Sequence, residues 1–387
     1  MTALLDGIRV VELGSAITAP LAAMMLADFG ADVVKVEPPG GDQFRGGAGE
    51  RYGPTFLAYN RNKRGIVLDL RTERDRAILL SLIDRADVLI DNFRPGVLQR
   101  LGLEPSVLTG RNSRLVHCSI TGFGSGGPFF DRPAFDLVGQ ALSGMASLFL
   151  DPNTPQPVGP TLADNVTGMQ ASSAILAALV ERSRTGRGRR LEISMLEAAM
   201  AFIGDAFVNH TRTGREIGPL SRVAGSQCFV FRCADGGMIA IHLSTPEKFW
   251  TGLVAAVGKP SLADDPRYRN HATRKDHYGE LNEALAALFA TKPRDHWEAA
   301  LREHDVPYAP VLSIAEAMSS EQASALGVVA EMDHPQQGRI RAIHSPVRVG
   351  GARPLSTIRP PPTVGEHTAE VLAELNAKKG GQSSDGL

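Results

Sequence analysis

One carboxylate is the clearest candidate for chemistry. In Gly159-Pro-Thr-Leu-Ala-Asp164-Asn-Val-Thr-Gly-Met-Gln170, a proline-bearing loop delivers Asp164 to a run rich in Ala, Leu and Ile with no breaker after Gly168. An aspartate before such a run is a preferred helix N-cap, its oxygen accepting the unpaired N–H groups of the first turn. The same position, at the positive end of a helix, keeps a carboxylate ionised and aimed, as a nucleophile must be. The stretch alone supports both readings. A second group is Arg71, Arg94, Arg100 and Arg132, each beside small, Gly- or Pro-rich neighbours. Arginines beside approachable backbone suit a phosphorylated ligand, through charge-assisted hydrogen bonds; singly, each is an ordinary solvated surface residue.

The elements that must position these groups follow from periodicity. Short valine- and isoleucine-rich strands are expected at 8–13, 31–37, 65–70, 86–91 and 114–120, alternating with helices at 21–29 and 73–85. Four or five strands alternating with helices predict an α/β fold with an open, doubly wound parallel sheet, whose ligands bind beyond the carboxyl ends of the strands. The loops at those ends are 14–20, 37–49, 70–72, 91–97 and 121–133, and they carry the arginines. Glu37 ends the second strand where a ribose-binding acid would sit in a dinucleotide fold. After Gly14, however, the loop offers no second or third glycine, so backbone could not approach a pyrophosphate and NAD binding is disfavoured. The glycine-dense run at 122–128 lacks the lysine and hydroxyl of a P-loop and reads as a lid or turn.

Beyond residue 133 helices are expected at 134–150, 165–183 and 195–211, with a strand at 191–194 between the last two. A linker at 214–225 precedes a hairpin over 227–232 and 238–243, then helices near 246–257, 275–290 and 294–304. These predict a second, smaller α+β domain. From 311 short strands and helices return, closing with a helix at 366–377. The tail at 378–387 is expected to be disordered.

Composition narrows the function. The 387 residues hold 41 basic and 42 acidic side chains, leaving no electrostatic footprint for nucleic acid. Cys118, Cys228 and Cys233 are too scattered for a disulfide framework or a structural zinc site. The start of the chain does not read as a signal peptide, and no apolar run reaches the roughly 18 residues of a membrane span. The expectation is a cytoplasmic protein with no membrane partner and no metal.

Together the motifs resemble the class III coenzyme A transferases, the family that includes formyl-CoA transferase, carnitine CoA-transferase and succinyl-CoA:dicarboxylate transferases. The likeness is carried by Leu5-Asp-Gly-Ile-Arg-Val-Val-Glu-Leu13, Ala19-Pro20, Gly30-Ala-Asp-Val-Val-Lys-Val-Glu37, Asn62-Lys-Arg64 and Asp91-Asn-Phe-Arg-Pro-Gly96. It continues through Gly122-Phe-Gly124, Asp136, Ser143-Gly144, Ala163-Asp164, Thr185-Gly-Arg-Gly188 and Gly365-Glu-His-Thr368. Each motif is weak alone; their order over nearly the whole chain is specific.

The resemblance implies that Asp164 attacks a donor acyl-CoA thioester and that CoA passes through covalent aspartyl intermediates to an acceptor carboxylate. It needs no cofactor, since the CoA thioester is itself a substrate. It places CoA contacts at Ile17, Thr18, Leu68, Asp69, Leu70, Arg71, Asn92, Phe93, Arg94, Arg100, Arg132, Phe135 and Met195. Position 38, basic in some relatives, is Pro38, so phosphate contacts shift to other arginines. Position 135, often tyrosine, is Phe135. An α-methylacyl-CoA racemase of the same superfamily carries a His-Asp pair where this chain has Phe135-Asp136; phenylalanine cannot transfer a proton, which favours transfer over epimerisation. A non-catalytic CoA-binding protein is the third reading.

The family fold further implies a Rossmann-like large domain built from 1–212 and a returning 330–377, a small domain at 226–318, and an interlocked homodimer helped by extended linkers near 212–225 and 320–360. The segment at 223–228 lacks the glycine-rich lid of formyl-CoA transferase, which leans toward succinyl-CoA as donor, with Arg212 or Arg222 as candidates to hold a distal carboxylate.

Overall fold

The valine-rich runs fold as parallel strands: β1 (Arg9–Glu12), β2 (Asp32–Glu37), β3 (Arg64–Val67), β4 (Val88–Asp91), β5 (Val116–Thr121) and β6 (Arg190–Ser194). Their spatial order is β3-β2-β1-β4-β5-β6 and every neighbouring pair is parallel. The sheet thus has six strands, the sixth supplied by the short run at 190–194. A computed structural model describes residues 3–46, 52–157 and 159–377; the expected disordered tail at 378–387 lies outside them. The chain divides into one unit of Met1–Ala146, Pro157–Asp205 and Gly327–Leu387, and another of Ser147–Gln156 and Ala206–Leu326.

Strand residues alternate between two buried faces. Val10, Val33 and Ile90 join one core with α1 (Thr18–Asp28), while Val11, Val34 and Leu89 join the other. Between β2 and β4 come α2 (Pro54–Tyr59) and α3 (Glu73–Ile83); α3 packs Leu79, Leu82 and Ile83 into the second core. The strand expected over 65–70 stops at Val67. Asp69 folds its carboxylate back on the Arg71 N–H at 3.1 Å and its carbonyl accepts the Thr72 N–H at 2.9 Å, a turn that ends the strand and opens α3. Short helices α4 (Val97–Arg100) and α5 (Pro105–Arg111) lead to β5.

The helix expected over 134–150 is shorter. α6 (Asp136–Leu142) ends where Gly144 takes φ 82°, and a single tight turn follows at Ala146–Leu148. α7 (Leu162–Thr185) begins earlier than expected, so Asp164 lies inside its first turn and Thr161, not Asp164, holds the N-cap position. α8 (Met195–Phe202) and the next helix, Gly204–Thr213, divide the helix expected over 195–211. The linker expected at 214–225 contains a helix, Pro219–Gly225, with proline in its first position.

The second unit holds the expected hairpin, β7 (Cys228–Arg232) antiparallel to β8 (Met238–His242), extended by β9 (Tyr308–Pro310). Phe229, Phe231, Ile239, Trp250, Phe289 and Trp297 fill its core. Residues 327–377 belong to the first unit. Rather than an extended linker they form a hairpin, β10 (Val329–His334) with β11 (Gly338–Ile343), and a closing helix, Thr368–Ala377, that packs Val371 and Leu375 beside α3. Among the described residues no helix is long and apolar enough to cross a membrane.

α7 lies against α1 through one glycine. A Cβ on Gly168 would stand 2.8 Å from the Thr18 carbonyl oxygen and 3.1 Å from Leu21 Cβ. The Gly168→Ala variant gains roughly 1 kcal/mol of helix propensity but must push α1 away, at about 1–3 kcal/mol for overpacking. We expect a lower urea midpoint with an unchanged slope; a midpoint equal to or above wild type would remove the close approach.

Candidate active site

The first turn of α7 sets Asp164 against the first turn of α6. Gly139 permits this: a Cβ there would fall 2.5 Å from Met195 Sδ and 3.3 Å from Ala163 Cβ, so α6, α7 and α8 converge on its bare face. The Asp164 N–H donates to Asp136 Oδ1 at 3.1 Å. Gln140, one turn along α6, donates to Asp136 Oδ2 at 2.5 Å and also lies 3.5 Å from the Pro160 carbonyl. Asp136 therefore caps the helix that carries Asp164, the role that one of the two readings of the sequence gave to Asp164 itself.

Asp164 is 9% exposed, and among the described residues its carboxylate accepts no hydrogen bond. Burial, with a second contribution from the neighbouring Asp136 charge, raises its pKa to about 7. A desolvated carboxylate without hydrogen-bond donors is a stronger nucleophile than one in water. Beside it, Asn165 donates to the Thr161 carbonyl and accepts from the Tyr59 hydroxyl at 3.1 Å, which steadies the same turn.

Ile17 and Thr18 are buried at the start of α1, and the Thr18 carbonyl meets α7 at Gly168, one turn beyond Asp164. Asn92 binds the loop before them from β4: it accepts the Ser15 N–H at 3.0 Å and donates to the Ser15 carbonyl and the Thr18 hydroxyl. Ala16 takes φ 65°, a backbone shape that such bonds must hold in place.

A cleft of about 650 Å³ opens at the carboxyl ends of β1, β2 and β3. Leu68, Asp69, Leu70, Arg71 and Phe93 line it, as does Pro38. It reaches the point where strand order reverses, between β1 and β4, where open α/β sheets bind ligands. The Arg71 side chain is 83% exposed and pairs with Asp69 at 2.8 Å, an exchangeable contact worth little in water. A smaller cleft of about 380 Å³ carries Arg94 beside Phe93. Arg100 is exposed at the end of α4, and Arg132 lies over the Phe129 ring at 4.4 Å. Phe135, 61% exposed, precedes Asp136, and Met195 is buried against α6. Most of the predicted residues thus fall into three groups, 17–18 with Asn92, 68–71 with Phe93, and 135 with Asp164 and Met195; Arg94 shares the smaller cleft with Phe93, and Arg100 and Arg132 join none of them.

Sequence reasoning missed the charges beneath these loops. Glu12 and Lys35 are registered partners on β1 and β2, joined at 2.9 Å with no exposure. Lys35 also donates to the Gly14 carbonyl at 2.8 Å and pairs with Asp42 at 3.0 Å. Lys63 pairs with Glu12 at 2.8 Å and donates to the Pro20 carbonyl and Asn60 Oδ1, both at 2.8 Å. Burial works against the Lys35 ammonium, but Glu12, Asp42 and Glu37 outweigh it and hold its pKa above the ordinary lysine range. For Lys63 burial prevails over Glu12, with Lys35 adding repulsion, and its pKa falls to about 8. Glu12 and Lys35 stand out as charges within valine-rich strands, but their pairing follows only from the strand register.

The profile of CoA-transferase family III matches residues 5–368. A succinate–glutarate CoA-transferase of Agrobacterium fabrum is 34% identical over 96% of this chain and 95% of that protein. A formyl-CoA:oxalate CoA-transferase of Streptomyces avermitilis is 32% identical over 96% and 95% respectively. Among solved structures, a CAIB/BAIF family protein from Brucella suis superposes with a TM-score of 0.85 at 31% identity, over 97% of this chain and all of that one. With a matching profile over nearly its full length and relatives above 30% identity, this chain belongs to CoA-transferase family III and is a class III CoA-transferase.

Proposed function

We propose that the enzyme moves CoA from an acyl-CoA donor to a carboxylic acid acceptor through covalent intermediates on Asp164. The observation that carries this reading is a buried carboxylate, without hydrogen-bond donors among the described residues, at the convergence of α6, α7 and α8. Its oxygen attacks the thioester carbonyl; a C–O bond forms, the C–S bond breaks, and CoA leaves as thiolate. The thiolate attacks the aspartyl carbonyl of this mixed anhydride, releasing the donor acid and leaving an aspartyl-CoA thioester. The acceptor carboxylate attacks that thioester, and the thiolate freed again takes the acceptor's acyl group, restoring Asp164. Every step is acyl exchange, so neither metal nor redox group is required. Phe135 offers no proton, so α-epimerisation would lack a base at that position.

On this reading the cleft lined by 68–71 and Phe93 takes the nucleotide end of CoA. Arg71, Arg94, Arg100 and Arg132 meet its phosphates, which Pro38 cannot. Ile17, Thr18, Asn92, Phe135 and Met195 border the path of the pantetheine arm toward Asp164. The names of the relatives, succinate–glutarate and formyl-CoA:oxalate, point to short carboxylates, and we favour succinyl-CoA as donor. We also assign the enzyme to the cytoplasm and to a homodimer. Phe202, Val208 and Leu220 are large apolar side chains left exposed on a single chain, and a solution mass near twice 41.3 kDa is expected by light scattering; a monomeric mass would remove the dimer.

Incubation with succinyl-CoA and hydroxylamine is expected to convert Asp164 to a hydroxamate, seen as a mass shift on its peptide alone and absent in Asp164→Asn. No shift with succinyl-CoA or with any other acyl-CoA, despite CoA binding, would return Asp164 to a structural role.

The raised pKa gives two further outcomes. The attacking form is the carboxylate, so kcat/KM should rise with pH through about 7. Removing the neighbouring charge with Asp136→Asn should move that limb to lower pH; an unmoved limb would exclude Asp136 as its neighbour. Stability runs the opposite way. The unfolded aspartate releases its proton at lower pH than the folded one, so folding loses stability as pH rises toward 7 and the loss is complete above it. Asp164→Asn should therefore be more stable than wild type at pH 8, by at most about 4 kcal/mol, and melt higher, with the gap closing toward pH 4. Equal melting at both pH values would contradict the desolvated carboxylate.

A further inference from the structure

The loop 14–20 is held at both ends by buried ammonium groups that share one carboxylate. At its start Lys35 takes the Gly14 carbonyl, at its end Lys63 takes the Pro20 carbonyl, and both pair with Glu12. An ammonium has three N–H donors, and Lys63 faces three oxygens: Glu12 Oε2, Pro20 O and Asn60 Oδ1. None of these groups reaches the surface: Glu12, Lys35, Lys63 and Asn60 are all buried. The mechanism above makes no use of them.

The segment that carries Lys63 also reaches the catalytic turn. Tyr59 donates to Asn165, next to Asp164, while Asn60 is fixed by its own bond to the Phe56 carbonyl and presents its oxygen to Lys63. Residues 59–63 thus hold both the loop with Ile17 and Thr18 and the first turn of α7. Arg61 and Asn62 anchor the same segment to Asp28 on α1.

We propose that Lys63 is a positioning residue for acyl-CoA binding, setting the loop that carries Ile17 and Thr18 against the helix that carries Asp164. This rests on the reading of Ile17 and Thr18 as CoA contacts. Lys63 acts through the Pro20 carbonyl at the first turn of α1, and Asn60 sets where its ammonium sits. Losing the ammonium leaves Glu12 Oε1 paired with Lys35, takes the partner of its Oε2 away, and frees the end of the loop.

The test is calorimetric titration of wild type, Lys63→Met and Asn60→Ala with CoA, beside steady-state kinetics with succinyl-CoA. Lys63→Met is expected to bind CoA about tenfold more weakly at unchanged stoichiometry, because small misplacements of contact groups carry such penalties. Its KM for the acyl-CoA should rise while the KM for the acceptor acid stays. Asn60→Ala should shift the same quantities in the same direction by a smaller factor. A purely structural lysine would lower the folded fraction, and hence the stoichiometry, at wild-type affinity; that result overturns the proposal. Should Lys63→Met fail to fold, Asn60→Ala decides: wild-type CoA affinity there overturns the proposal as well. If wild type itself binds no CoA, the reading of the loop as a CoA site falls and the positioning role with it; if wild type binds and Thr18→Ala binds equally well, the assignment of Thr18 falls, and with it the route by which Lys63 would act.

Discussion

The site depends on charges that have no access to water. Glu12, Lys35 and Lys63 sit where the core face of β1 and β2 runs out beneath the first turn of α1. Val10 and Val33, two residues earlier on the same faces, belong to the apolar core. Desolvating an ion costs several kcal/mol, so such a group is tolerated only with partners on every side, and stranding one partner costs about 3–5 kcal/mol. The constraint is therefore geometric. The loop carbonyls of Gly14 and Pro20 are drawn to these ammonium groups because each N–H must find an oxygen, and the loop has little freedom left once they have. Glu37 extends the pattern on β2, taking Arg45 through two bonds and the Asp42 N–H, which shapes one wall of the larger cleft.

Asp164 shows the opposite economy. Where Glu12 is neutralised on both oxygens, Asp164 is given a buried place with no donor among the described residues, and the charge that acts on it is another carboxylate, Asp136. Stability alone would not select such an arrangement. It is maintained by tight packing on three sides, through Gly139 facing Met195, Gly168 facing Thr18, and Asn165 bonded to Tyr59. The folded state holds a destabilised group because its surroundings leave it nowhere else to go.

Much of this was legible from residues alone. The parallel α/β sheet followed from valine-rich strands alternating with amphipathic helices, and the hairpin of the second unit from Ala234-Asp-Gly-Gly237 between two apolar runs. What failed to show rests mostly on partners distant in sequence. Asp164 looked like a cap because the eye starts a helix at the last polar residue before an apolar run; α7 starts two residues earlier because Asp136, distant in sequence, takes the Asp164 N–H. The break after Leu142 rests on Gly144 in the left-handed region, and a single glycine inside a helical pattern does not announce its φ. The roles of Lys35 and Lys63 depend on strand register, Glu12 beside Lys35, which no window of neighbouring residues contains.

The strand order is that of the dinucleotide-binding folds, yet the first helix is built differently. There, the amide groups at the start of α1 receive a pyrophosphate and glycines let it approach. Here Ile17, Thr18, Ala19 and Pro20 are all buried, and Pro20 has no N–H to offer. Gly14 is spent on another task, since a Cβ there would stand 2.3 Å from Ala19 Cβ; it lets the strand turn directly into the helix. With the helix terminus closed by packing and its carbonyls turned toward buried lysines, anionic ligand groups can be met only by side chains farther out. Arg71, Arg94 and Arg100 occupy that rim and are exposed there. The same closure leaves the end of α1 free to pack against α7, so the terminus that holds phosphate in the dinucleotide-binding folds supports a helix with a buried carboxylate in this one.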